Sequence, residues 1–143
     1  MGIKYPVGPG AILRCDYNRG GFKAPEMVKA RPAVVISPRL PHRDGLCTVV
    51  PLSGDPNEHE SAWDIRLEFD PPLPHPFTYG VAWAKCDMLA TVSFDRLDMF
   101  QTARDQYGKR KYLHPKVSAA DLVRIRQGVL FALGLGNLTL TSK

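Results

Sequence analysis

Hydrophobic positions come in short bursts over most of the chain and take on a longer period only near its end. After the turn Gly8-Pro9-Gly10, the segment Ala11 to Tyr17 alternates in character and predicts a strand. Residues 18 to 30 run from Asn18, Arg19, Gly20 and Gly21 to Lys29 and Ala30 and read as a polar, glycine-bearing loop. Pro32 to Ile36 is nearly all apolar and β-branched, the signature of a strand buried on both faces; Pro38 and Pro41 end it. Leu46 to Ser53 predicts a third strand, with Pro51 confining its far end to an edge or a bulge. A polar loop over Gly54 to Glu60 precedes a fourth strand, Ala62 to Phe69. Asp70 to Tyr79 holds four prolines and predicts no regular structure. Val81 to Asp87 and Leu89 to Val92 complete the strand candidates. Short strands with turn signals between them predict a small β-barrel. The period then changes. Ser118 with Asp121 forms a capping-box pattern, and Leu122, Ile125, Val129 and Leu133 recur at helical spacing before Gly134 and Gly136. One helix with a single apolar stripe therefore lies on the barrel.

Composition narrows this picture only slightly. The 143 residues suit one domain, here spanning residues 1–143. With 44% hydrophobic and 23% charged residues the chain is globular rather than disordered. A net charge of +5 permits a polyanionic partner without requiring one. Cys15, Cys47 and Cys86 are odd in number and lack C-x-x-C spacing, which predicts reduced, mostly buried thiols in a cytosolic protein. Met1 to Gly10 has no apolar leader segment, no run reaches membrane-spanning length, and Pro6 stands where a myristoylation signal needs Ser or Thr. The expectation is a soluble, unprocessed, cytoplasmic chain that engages no membrane.

Candidate chemistry is concentrated in a few places. His42, His59, His75 and His114 are scattered, and no H-E-x-x-H, Cys/His cluster, G-x-S-x-G elbow or phosphate-binding glycine loop is present. Any catalysis is expected to use side chains alone, with no metal and no cofactor. Glu26, Lys29 and Arg31 lie close together at a strand entrance. There a guanidinium can clamp a phosphate and a carboxylate can accept a proton, or Glu26 and Arg31 simply pair and tie the loop down. In Trp83-Ala84-Lys85-Cys86-Asp87, alternation places Trp83, Lys85 and Asp87 on one face. That face either stacks a base, holds a phosphate and takes a proton, or carries a surface Lys–Asp pair of little energetic weight beside a core tryptophan. Ser53 offers a hydroxyl that either caps a turn or donates to a ligand. Between Arg104 and Lys116, the residues Lys109, Arg110 and Lys111 sit among Tyr107 and Tyr112. This composition suits single-stranded nucleic acid and equally suits a solvated linker.

Taken in order, these residues resemble the PemK/MazF family of toxin ribonucleases. Gly10-Ala11-Ile12-Leu13 resembles the opening of the family's first strand, with Asp16 at its end. Gly21 and Glu26 lead to Lys29-Ala30-Arg31-Pro32-Ala33-Val34-Val35-Ile36-Ser37, similar to the motif K-x-R-P-V-V-V-I-S. Val50-Pro51-Leu52-Ser53 resembles V-P-[LV]-[ST], and Lys85-Cys86-Asp87 is similar to the Arg-Cys-Asp of the Kid/PemK branch. Thr91-Val92-Ser93 and Arg96-Leu97 extend the resemblance, which covers most of residues 8 to 135.

The resemblance implies a mainly β fold with a C-terminal helix, the small SH3-like (CcdB/PemK-like) β-barrel, acting as a homodimer. It also implies a metal-independent endoribonuclease that drives a ribose 2′-OH onto the adjacent phosphate of single-stranded RNA. Its partner would be a cognate antitoxin of the MazE/PemI type with an acidic, disordered tail. Arg31 matches the arginine at the scissile phosphate, Glu26 the loop acid, Ser53 the hydroxyl position, and Lys85 with Asp87 the acid–base pair. Arg19, Lys29, Trp83, Lys109, Arg110 and Lys111 are the expected RNA contacts. The chain departs from the pattern at Pro25, where the Kid branch has histidine, and at Lys85, where it has arginine, and lysine is no equivalent at a bidentate site. The alternative reading is a non-catalytic, CcdB-like protein that poisons a partner, or a degenerate RNA binder on the same fold.

Overall fold

The longest strand, β3 (Leu46–Ser53), organises the sheet because it pairs with three others. The computed structural model describes residues 2–18, 21–39 and 41–138. Along the chain, β1 (Ile12–Asp16) and β2 (Ala30–Val35) precede β3. After it come β4 (Asp64–Glu68), β5 (Val81–Lys85), β6 (Ala90–Ser93), β7 (Leu97–Asp98), β8 (Phe100–Gln101), β9 (Tyr112–Leu113) and the helix α1 (Ala119–Ala132). The main sheet is antiparallel in the order β4-β5-β3-β2-β1-β7, with β6 also on β3; β8 and β9 form a separate hairpin.

Pro51 is neither at an edge nor in a bulge. It is fully buried in the middle of the sheet, facing Ala33 of β2. Along its other edge β3 changes partner, pairing with β6 up to Val49 and with β5 from Leu52. A residue with no N–H to give fits in that gap.

Strand alternation sorts the apolar residues into two clusters. Ile12, Val34, Val50, Leu52, Leu67, Ala82 and Ala84 pack with Ile125 and Val129 of α1. Leu13, Cys15, Tyr17, Ala33, Val35, Val49, Val92 and Leu97 fill the opposite face. The helix approaches closely because Gly128 has no side chain: a Cβ there would lie 2.8 Å from Cys86 Sγ. Cys86 in turn donates to the Ile125 carbonyl at 3.4 Å. Ser118 Oγ accepts from the Asp121 amide at 3.1 Å, but the Asp121 carboxylate turns to Arg124, so only half of the expected capping box forms. Leu133 does not join the stripe; it follows the last helical residue, is 59% exposed, and precedes Gly134 at φ 78°.

Several boundaries shift. The second strand begins at Ala30 and so includes Arg31. The fifth ends at Lys85, leaving Asp87 in a short 3-10 turn, Cys86–Met88. The strands β7, β8 and β9 are two residues each, too short to show a period in sequence.

Candidate active site

Antiparallel pairing brings the end of β1, the start of β2 and the end of β3 to one end of the sheet. Arg31, the second residue of β2, faces Cys15 across the β1–β2 ladder. It lies on the same side of β2 as the cluster residues Ala33 and Val35, so it belongs to the face turned away from α1. Its Nε is buried without a hydrogen-bond partner, and among the described residues Arg31 forms no ion pair. A buried, unsatisfied guanidinium N–H is a costly arrangement unless a ligand completes it. The pairing of Glu26 with Arg31 does not form. Glu26 closes its own loop, its carboxylate accepting from the Lys23 amide at 3.1 Å and its amide donating to the Lys23 carbonyl at 2.7 Å. Lys29 is exposed just before β2. Arg19 lies outside the described residues.

The loop between β1 and β2 is anchored by residues the sequence did not single out for this role. The Arg96 guanidinium lies 4.6 Å from the centre of the Phe22 ring and donates to the Asp16 carbonyl at 3.1 Å. Phe22 meets Tyr17 edge-on, with ring centres 5.4 Å apart. Tyr17 is buried against the Cys15 thiol without a well-directed hydrogen bond. Burial pushes the Cys15 thiol up to about 12, although Tyr17 and Arg96 pull it partly back. The Tyr17 hydroxyl is raised as well, first by burial and then by the neighbouring thiol. Both stay neutral at physiological pH, so neither supplies a ready nucleophile.

Ser53 ends β3 and is only 7% exposed; its Oγ accepts from the Asp55 amide at 3.2 Å, capping the turn that follows. Its cross-strand neighbour is Trp83, and Trp83 in turn faces Arg66 of β4. Ser53 alternates with Leu52, and Trp83 and Lys85 alternate with Ala82 and Ala84, so all three share the face of Arg31.

Lys85 differs from the expected exposed cation beside Asp87. Its Nζ donates to Asp64 Oδ1 at 2.8 Å and to Asn57 Oδ1 at 3.0 Å, and the Lys85 and Asp64 side chains are only 8% and 5% exposed. Asp87 is exposed in the 3-10 turn. The alternation that was to align Asp87 with Lys85 stops at Lys85, where the strand ends. Asp64 and Asn57 were missed because nothing local marks them. The available signal was register: β4 and β5 are both visible as strands, and their pairing sets Asp64 opposite Lys85.

Residues 104 to 111 form the shaped tip of the β8–β9 hairpin. Asp105 Oδ1 accepts from the amides of Tyr107 and Lys109 and folds the tip, and Arg104 donates to the Gly108 carbonyl. Lys109, Arg110 and Lys111 are exposed on it, with Tyr107 and Tyr112 exposed beside them.

The sequence model of the PemK-like, MazF-like toxins of type II toxin–antitoxin systems matches residues 9–125. The chain belongs to this PemK/MazF toxin family. A relative, the uncharacterized protein YifN of Escherichia coli K12, is 27% identical over 121 residues, covering 73% of this chain and 80% of YifN. Among solved structures, MazF of Deinococcus radiodurans superposes with a TM-score of 0.58 at 17% identity, over 91% of this chain and 98% of that one. An endoribonuclease in complex with its cognate antitoxin, from a mycobacterial species, gives 0.54 at 20% identity, over 90% and 94%. The Mycobacterium tuberculosis toxin MazF-mt6 gives 0.52 at 14%, over 86% and 96%. The mainly β fold with a C-terminal helix is thus the MazF fold. Among the described residues of this PemK/MazF chain, no three His, Cys, Asp or Glu side chains gather as metal ligands, and no helix is long and apolar enough to cross a membrane.

Proposed function

We propose that this toxin-family chain is a metal-independent, sequence-selective endoribonuclease acting on single-stranded RNA. The observation that carries the reading is Arg31, whose buried Nε has no partner and which stands at the sheet end that Ser53 also reaches. A guanidinium in that state is preorganised for a phosphate, because it needs no rearrangement as charge develops. In the proposed step a carboxylate, Asp87 or Glu26, takes the proton of the ribose 2′-OH. The 2′-oxygen attacks phosphorus, the bond to the 5′-oxygen breaks, and that oxygen takes a proton from water or from the carboxylic acid just formed. The products are a 2′,3′-cyclic phosphate and a free 5′-hydroxyl. Arg31 stabilises the charge on the phosphoryl oxygens, and Ser53 donates to the same group. Lys85 contributes charge from within its pair with Asp64 rather than a mobile proton. Trp83 offers a face for base stacking, while Lys29, Lys109, Arg110 and Lys111 hold backbone phosphates; Arg19 is assigned with them from the loop sequence.

The proposed partner is a cognate antitoxin with an acidic, disordered segment, since such segments wrap large basic surfaces and mimic polyanions. The proposed assembly is a homodimer in the cytoplasm. The test is cleavage of single-stranded RNA in excess EDTA. Cyclic phosphate ends are expected, and a single 2′-deoxy sugar at the cut site should abolish cutting. Activity that appears only with added divalent metal overturns the mechanism. Inertness under both conditions, together with binding to RNA or to a topoisomerase, points to the non-catalytic alternative.

A further inference from the structure

The buried ion pair of Lys85 and Asp64 has a shape that a mere stabilising contact does not need. Asp64 begins β4 and Lys85 ends β5, directly opposite each other. Asp64 uses both carboxylate oxygens: Oδ1 accepts from Lys85 Nζ at 2.8 Å, and Oδ2 accepts from the Asn57 amide at 2.7 Å. Lys85 closes the triangle by donating to Asn57 Oδ1 at 3.0 Å. Asn57 belongs to the loop that leaves Ser53, and Lys85 directly precedes the turn that carries Asp87. That turn is fixed from its other side by the Cys86 amide, which donates to the Trp63 carbonyl at 2.9 Å, and by Cys86 Sγ on α1. One carboxylate therefore sets the loop after Ser53 and the turn before Asp87 in a single relative placement.

Burying an ion pair is a poor route to stability in itself, because desolvation offsets most of the attraction; in some proteins such a pair fixes geometry instead. We infer that Asp64 and Asn57 are positioning residues for RNA cleavage, with Lys85 as the cation they share, and that this triangle governs which phosphodiester is cut. The inference rests on the proposed nuclease reading. A site displaced by about 1 Å loses on the order of a hundredfold in rate, so a loosened brace is expected to act on turnover rather than on affinity.

The decisive variant is Asn57→Ala, since it leaves the buried Lys85–Asp64 pair intact and the chain folded. It is expected to lower kcat about tenfold while changing KM little, a split in which affinity survives and placement does not. It should also broaden the distribution of cut sites in a mixed RNA pool and speed amide exchange over residues 54–61. Asn57→Gln, which keeps a neutral carbonyl oxygen for Lys85, should restore much of the turnover and selectivity. Asp64→Asn should give the same pattern more strongly; if it does not fold, the Asn57 pair of variants decides alone. Unchanged kcat and cut-site distribution in Asn57→Ala, or a matched loss in Asn57→Gln, overturns the inference. If the wild-type protein cuts no RNA, the nuclease reading fails and the positioning role with it. Amide exchange in Asn57→Ala then still reports whether the triangle holds the loop.

Discussion

Arg31 and Lys85 are both cations placed by strands on the face away from α1, yet the structure treats them oppositely. Lys85 is enclosed and matched by Asp64 and Asn57, whereas Arg31 keeps a buried N–H with nothing to receive it. The unmatched one is the proposed phosphate site. Arg31→Ala is accordingly expected to slow cleavage by a hundredfold or more, on the order of losing one preorganised charge stabiliser. Asp87→Asn keeps shape and removes a base, so turnover should fall while RNA affinity, measured by fluorescence anisotropy, is retained. The thiols make a separate prediction. Burial raises Cys15 and Cys86 from 9.0 to about 12 and Cys47 to about 11, so the folded state keeps protons that the unfolded chain gives up. Their contribution is fully present below pH 9 and is lost as pH rises from 9 towards 12. The urea midpoint should therefore fall between pH 8 and pH 10.5, and the folded protein should resist thiol alkylation at pH 8. Rapid labelling of Cys15 or Cys86 in native conditions would contradict this.

At the scale of elements, legibility follows length and locality. Leu46–Ser53 is readable to the residue because its apolar content and flanking turns mark it, and α1 because its period persists over several turns. The two-residue strands are invisible because pairing alone defines them. The Lys85 environment was hidden for a related reason: its partners lie 21 and 28 residues away, in reach only once β4 meets β5. Arg31 could be marked at its strand entrance, but not that it would remain unpaired. Gly128 gives a sharp test of helix docking. Alanine favours a helix by about 1 kcal/mol over glycine, yet its Cβ would meet Cys86 Sγ at 2.8 Å and Ile65 Cγ1 at 3.1 Å. Overpacking of this kind costs about 1–3 kcal/mol, so Gly128→Ala should lower the melting temperature rather than raise it. The β8–β9 hairpin is tested by salt. If Lys109, Arg110 and Lys111 bind phosphates, replacing all three by Gln should flatten the dependence of log affinity on log salt by about two units. An unchanged slope would reduce the hairpin to a solvated arm.

For the molecule as a whole, the chain belongs to a family of toxins from toxin–antitoxin systems, and its net charge of +5 suits the acidic partner proposed above. Induced alone, it should arrest growth and degrade bulk mRNA, and co-expression of a cognate antitoxin should reverse both. Continued growth with intact mRNA, despite accumulation of folded protein, would contradict the toxin reading. The pairing of β1 with β7 has a consequence for the timing of synthesis. Cys15, in the first strand made, finds its partner Leu97 only after β2 through β6 have been added. Contacts so distant in sequence form late, and at roughly 5–20 residues per second a growing chain spends several seconds with Arg31 already exposed to the cell but no frame around it. A chain cut short before Leu97 carries Arg31 without the β1–β7 pairing. On the proposed nuclease reading, chains ending before Leu97 are expected not to arrest growth when induced, and the antitoxin would need to meet only finished copies.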